Sequence, residues 1–246
     1  MKVVVVGGTG LIGKRVVARL GEHGHEAVAA APSTGVDATT GEGLAEAVRG
    51  ADVLVDVSNS PSFAADDVLA FFRTSTANLV EAAKGAGVGH CVALSVVGAE
   101  RAPDSGYLRA KVAQERVLSE SGLPWSVVRA TQFFEFAGGI ADSATEGGVV
   151  VLPVGGVRPV AAADVADAVT RTALGAPLDG VVEIGGPEVF GLAEWVRTTL
   201  AARHDPRRVV ADPGARYFGA VLGDETLLPA PGSPVGQVRL ADWLAG

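Results

Sequence analysis

The chain is poor in the residues on which disulfide and metal chemistry depend. A single cysteine, Cys91, excludes an intrachain disulfide and a zinc site built on several thiolates. It lies inside an apolar run, where a lone cysteine packs as a small hydrophobe. The four histidines, His23, His25, His90 and His204, fall at expected helix ends and turns and share no metal-binding face. Basic charge is also short, with 20 Lys and Arg against 28 Asp and Glu and a net charge of −8. Such a surface is expected to repel nucleic-acid phosphates and anionic lipid. Long hydrophobic runs are missing too. The first apolar run, Val3 to Val6, meets a glycine cluster at once, which fits neither a membrane span nor a signal peptide. The expectation is a cytoplasmic protein with a small-molecule substrate, no nucleic-acid partner and no membrane partner. Nothing in the sequence fixes an oligomeric state.

What is present is a globular composition, 48% hydrophobic and 20% charged over 246 residues, with Ala and Val prominent. That content suits a parallel sheet covered by closely packed helices. Short apolar runs alternate with helical patterns, the signature of a βα-wound sheet. Strands are predicted at residues 2–6, 26–30, 36–37, 52–57, 91–97, 125–129 and 181–184. Leu11, Ile12, Val16, Val17 and Leu20 mark one helical face, and Val68, Phe72, Leu79 and Ala83 another. The predicted fold class is α/β, a Rossmann-type doubly wound parallel sheet. Residues 1–135 read as one dinucleotide-binding domain. Residues 136–246 read as a partly interleaved, substrate-side lobe. There a short segment at 149–154, helices at 164–174 and 192–203, and apolar clusters at 217–222 and 238–244 are expected to dock on the core.

The strongest motif is Gly7-Gly8-Thr9-Gly10-Leu11-Ile12-Gly13, between a buried strand and a helix. Glycines there serve a tight turn with positive φ, close backbone approach to a pyrophosphate, and tight helix–strand contact. The N–H groups at the helix start then face the anion. Gly7, Thr9, Gly10, Leu11, Ile12 and Gly13 are the candidate cofactor contacts. The second strand ends Ala30-Ala31-Pro32-Ser33-Thr34, with neither the carboxylate that binds ribose in NAD users nor the arginine that meets the 2′-phosphate in NADP users. Ser33 and Thr34 can donate to a phosphate, and the missing carboxylate leans the reading to NADP, with NAD possible.

Further along, Tyr107 and Lys111 lie four apart in a helical pattern, so both side chains share a face. An ammonium beside a phenol is expected to lower the phenol's pKa and let it act as acid or base nearer neutrality. Gln132 and Phe133 follow the strand at 125–129, where ligands bind in a wound sheet, and are candidate substrate contacts.

Gly7, Gly10 and Gly13, with Leu94-Ser95-Val96-Val97-Gly98, Tyr107-Leu-Arg-Ala-Lys111, Gly122-Leu-Pro-Trp-Ser-Val-Val-Arg129 and Pro159-Val-Ala-Ala-Ala-Asp164-Val165-Ala166, resemble the short-chain dehydrogenase/reductase superfamily. The resemblance is to its extended and atypical branch, and within that to NmrA-like NAD(P)-binding proteins, which include quinone and isoflavone reductase relatives. It covers most of the chain. It implies that Tyr107 gives or takes the proton at the substrate oxygen, Lys111 holds the nicotinamide ribose and Ser95 orients the substrate carbonyl. It also implies that Asp37 contacts adenine and that Ser58 lies by the cofactor. The implied activity is an NAD(P)H-dependent oxidoreductase passing hydride to a small carbonyl, quinone or activated alkene. Its alternatives are an NAD(P)-binding sensor without turnover, or an epimerase or dehydratase that uses the cofactor transiently.

Overall fold

The computed structural model describes residues 1–246. Its strands and helices alternate from the first residues: β1 (Lys2–Val6), α1 (Gly13–Glu22), β2 (Glu26–Ala30), α2 (Leu44–Ala47), β3 (Val53–Asp56), α3 (Ala65–Ala86), β4 (His90–Val96), α4 (Gly106–Ser119) and β5 (Trp125–Ala130). The chain then leaves through α5 (Ala137–Ser143), β6 (Thr145–Glu146), β7 (Val149–Leu152) and β8 (Gly156–Val157). It returns through α6 (Ala162–Leu174) and β9 (Gly180–Ile184), and finishes with β10 (Phe190–Gly191), α7 (Leu192–Ala202), β11 (Arg208–Ala211) and α8 (Leu240–Ala245).

Six strands form one parallel sheet in the order β2-β1-β3-β4-β5-β9. The order reverses between β1 and β3, so the carboxyl ends there open a crevice, the place where ligands bind in wound sheets. β1 and β3 read as unbroken apolar runs because helices cover both sides. One face packs Val3, Val5, Val16, Leu20, Val165 and Val169 between the sheet and α1 and α6. The other buries Val4, Leu54, Leu79, Ala83 and Leu118 against α3 and α4. A separate core gathers Phe134, Leu152, Trp195, Leu200, Tyr217 and Leu240. No helix is long and apolar enough to cross a membrane.

Residues 136–246 are thus divided in space. α6 and β9 complete the main sheet, while β7, flanked by β6 and β11, joins α5 and α7 in the outer core. Asp164, from the Pro159–Ala166 run, ties the two parts. Its carboxylate accepts from Val238 N–H at 3.0 Å and sits where a Cβ on Gly236 would fall.

The predicted strand at 36–37 does not form. After a short 3₁₀ turn, Gly35 takes φ +81° and Asp37 folds a turn of its own. Its Oδ1 accepts from Thr39 N–H at 2.7 Å, Thr39 Oγ1 at 2.6 Å and Thr40 N–H at 3.3 Å. A carboxylate two residues before the donors it accepts from competes with strand pairing and wins here. These bonds, that of the Thr39 hydroxyl foremost, hold the Asp37 carboxyl below the usual range.

Candidate nucleotide-binding site

The glycine loop is tied down by Gly7 and Gly8 N–H groups, both donating to Ala30 O at the end of β2. Gly7 has φ +77°, and a Cβ on it would lie 2.8 Å from the Ser58 backbone. A Cβ on Gly13 would strike Gly7 O and come within 2.6 Å of Gly8 Cα. Those two positions must be glycine for the turn to close. Gly10 differs, since its Cβ would meet only Gly7 O at 3.2 Å and the residue is exposed. Its bareness serves whatever approaches from outside. The N–H groups of Thr9, Leu11, Ile12 and Gly13 donate to nothing in the chain, and α1 has no side-chain cap. Uncapped donors at the positive end of a helix fit a phosphate.

Ser33 and Thr34 sit beside this loop with different freedom. The Thr34 hydroxyl is spent on its own turn, accepting from Ala31 N–H at 2.9 Å and donating to Ala29 and Ala31 carbonyls. Ser33 is exposed, its hydroxyl 3.5 Å from that of Thr9. Asp37 is committed to its turn through Oδ1.

Across the crevice, Ser58 donates to Asp56 Oδ1 from both N–H, at 3.0 Å, and Oγ, at 2.6 Å. Asp56 Oδ2 accepts from Gln114 Nε2 at 2.7 Å, and the Lys111 ammonium donates to Gln114 Oε1 and, at 2.8 Å, to Leu94 O. Lys111 is 3% exposed and lies 4.1 Å from the centre of the Phe72 ring. Burial lowers its pKa to about 8 against the opposing pull of Asp56 and Glu115. Ser95, also buried, donates to Glu115 Oε1 at 2.5 Å. Glu115 in turn pairs with Arg129 from β5, which reaches Glu100 at 2.7 Å. The expected trio of Tyr107, Lys111 and Ser95 is therefore split. Lys111 and Ser95 lie in a buried polar layer between α4 and the sheet.

Tyr107 is half-buried above that layer. Its hydroxyl donates to Asn59 Oδ1 at 3.2 Å, and its ring packs 6.3 Å from Phe72 and 5.9 Å from Phe63. The expected lowering of its pKa is reversed. Burial raises the phenol to about 12, because the ammonium is turned into the layer below and does not offset the lost hydration. Gln132 stands just past the end of β5, 7% exposed with Oε1 lacking any partner. Phe133 turns aside, stacking on Phe136 at 5.2 Å and packing on the main core.

Four residues here escaped the sequence reading: Gln114, Glu115, Arg129 and Tyr217. The first two had a signal, because Lys111, Gln114 and Glu115 stand at i, i+3 and i+4 and so share the inward face of α4. Tyr217 had none. It comes from the outer core, where burial raises its pKa, the Gln132 carboxamide opposes that rise and the nearby Tyr107 adds to it.

The chain is similar to known proteins. The family described as NAD(P)H-binding matches residues 7–174, from the glycine loop to the end of α6. A (4-alkanoyl-5-oxo-2,5-dihydrofuran-3-yl)methyl phosphate reductase of Streptomyces griseus is 30% identical over 209 residues, 78% of this chain and 70% of that protein. The NAD complex of UDP-glucose 4-epimerase from Thermus thermophilus superposes with TM-score 0.71 at 21% identity, over 93% of this chain and 92% of that one. A dTDP-4-dehydrorhamnose reductase of Clostridium acetobutylicum gives 0.68 at 15%, over 92% and 91%. At such identities the two structures speak for the fold alone. The chain belongs to the NAD(P)H-binding family.

Proposed function

We propose that the protein is an NAD(P)H-dependent oxidoreductase that reduces a small carbonyl, quinone or activated alkene. The observation that carries this is the half-buried Tyr107, a phenol pushed to about 12, at the carboxyl ends of the strands beside the glycine loop. At neutral pH such a group is a proton donor and almost never a base. Reduction needs a donor, whereas epimerisation through a transient ketone first needs a base. Bound reduced nicotinamide supplies the hydride.

The chain's own residues divide the remaining work. Thr9, Leu11, Ile12 and Gly13 would hold the pyrophosphate with their uncommitted N–H groups, and Gly10, bare of a side chain, would let it approach. Ser33 and Thr9 hydroxyls would meet the adenosine ribose end, and the absence of a carboxylate there favours NADP over NAD. Ser58, pinned by Asp56, lines the other wall, and Asp37 stands beside the adenine end. Tyr107 donates the proton to the substrate oxygen, Gln132 positions it, and Phe133 is an apolar wall. Lys111 and Ser95 act from below by fixing α4 against β4 and so fixing Tyr107. The outer core of residues 136–246 is the substrate side. The reductase from Streptomyces griseus, by its name, acts on the phosphate ester of a ring carrying carbonyl groups, and those carbonyl groups agree with this reading.

Titration with NADPH, NADH and their oxidised forms, followed by a quinone and aldehyde panel, tests it. Tighter binding of reduced cofactor with turnover is expected. Equal binding of both forms with no turnover would identify a sensor and sink the proposal.

A further inference from the structure

Arg158 carries a charge that no group of the chain answers. It follows β8, and its carbonyl accepts from Thr131 Oγ1 at 2.5 Å and from Gly186 N–H at 3.0 Å, which pins it across the carboxyl ends of β5 and β9. Its side chain then runs over Gly185. A Cβ there would lie 3.1 Å from Arg158 Cδ and 3.3 Å from Cγ, and a Cβ on Gly186 would strike Pro159 O. The glycine pair is bare where the arginine stem crosses it. Gln132, next to Thr131, accepts Val160 N–H on its carbonyl at 2.9 Å. Its carboxamide and Tyr107 both bear on the Tyr217 phenol, so Arg158 stands at the same end of the crevice as Tyr107.

The Arg158 guanidinium makes no hydrogen bond and no ion pair, and its Nε is buried. A guanidinium keeps its proton, so burial cannot be relieved by neutralisation. An unpaired charge held partly out of water is costly until an anion meets it. The carboxylate of Glu183, on β9 just before Gly185, is turned instead to Ala230 N–H at 2.7 Å and towards Arg129 at 3.8 Å. We propose that Arg158 is a specificity residue that holds a carboxylate of the substrate, so that the compound reduced is an organic acid. The proposal rests on the reductase reading above and narrows its substrate class. A carboxylate matches one planar guanidinium fork, whereas a phosphate dianion calls for further cations. The neighbouring cations are already committed. Arg101 donates to Thr226 O and Leu228 O, and Arg129 lies among Glu115, Glu100 and Glu183. Gln132 Oε1, buried and unpartnered, is an acceptor that suits a hydroxyl or N–H of the substrate and not a second anionic oxygen.

Calorimetric titrations into protein saturated with oxidised NADP test this without any reaction intervening. They compare 4-formylbenzoate, its methyl ester and 4-formylphenyl phosphate, with 4-oxopentanoate and its methyl ester as a slimmer pair. At least one acid is expected to bind about tenfold or more tighter than its ester, and 4-formylbenzoate to bind tighter than the phosphate. Arg158→Met keeps a stem over Gly185 and removes the charge. Acid and ester should then bind within about twofold of each other, with cofactor affinity unchanged and Tm not lowered, since no partner is lost. Arg158→Lys returns the charge without the fork and should recover part of the preference, which an arginine needed only for packing would not show. No acid tighter than its ester, a preference for the phosphate, or a preference that survives Arg158→Met overturns the proposal. Failure of the reductase reading is seen separately, as no oxidation of NADPH by any acceptor while an acid still binds through Arg158.

Discussion

Glu115 grips Arg129 through two hydrogen bonds, Nε to Oε1 at 2.9 Å and Nη2 to Oε2 at 2.7 Å, and the same Oε1 takes the Ser95 hydroxyl. The pair joins α4 to β4 and β5 with both side chains largely buried, so neither partner can turn to water when the other is removed. Breaking a buried pair costs about 3–5 kcal/mol. Glu115→Ala is expected at the lower end, about 3 kcal/mol in urea denaturation, because Glu100 still pairs with Arg129. A conservative Glu115→Asp, too short to bridge both strands, should lose less stability but shift Tyr107 and lower kcat.

The glycine loop separates binding from folding. Gly13→Ala drives a methyl into Gly7 O and should both destabilise the protein and abolish cofactor binding. Gly10→Ala meets a single atom at 3.2 Å and should leave Tm nearly unchanged. Cofactor affinity should nevertheless fall at least about tenfold, because the methyl occupies the approach to the free N–H groups. Fluorescence titration beside thermal melts reads both numbers.

Tyr107→Phe keeps the ring against Phe63 and Phe72 and removes only the hydroxyl. Loss of a positioned proton donor costs about 10²–10⁴-fold in rate. That loss is expected in kcat/KM for aldehydes and ketones, with cofactor affinity unchanged. Quinones, already reactive acceptors, should lose far less. With the phenol at about 12, the wild-type rate should not follow ionisation of Tyr107 anywhere in the neutral range.

Lys111 gives a pH signature of the buried layer. In the unfolded chain a lysine takes up its proton near pH 10.5, whereas in the fold Lys111 does so only near pH 8. Between those values the unfolded state binds more protons, so stability falls as pH drops from 10.5 towards 8 and then levels. Measured as the difference between wild type and Lys111→Met, stability should shift by about 2 kcal/mol in favour of wild type from about pH 8 to about pH 10. A flat difference would mean that Lys111 is hydrated.

The loop, the parallel sheet and most strand positions were legible in the sequence because each rests on a local pattern: glycines in register between strand and helix, and apolar runs at regular spacing. Val36 and Asp37 misled because Asp37 can bond its own backbone two residues on, which an apolar neighbour does not reveal. Tyr107 and Lys111 did share a helical face, but periodicity is blind to depth. One residue stayed near the crevice and the other sank to Leu94 and Gln114. Tyr217 was illegible, since its place depends on a turn strained at Phe218, with φ +45°, arriving from more than eighty residues beyond Gln132.

The central claim is net hydride transfer to a substrate carbon, and isotope transfer tests it most directly. Protein, NADPH deuterated at the transferable position and a panel of ketones and enones, with and without a carboxylate, are incubated, and products are read by mass spectrometry. The expected result is one deuterium per product molecule with an equal amount of oxidised cofactor formed. Unlabelled isomers without net cofactor consumption, or no product at all from protein that holds the cofactor, would contradict it.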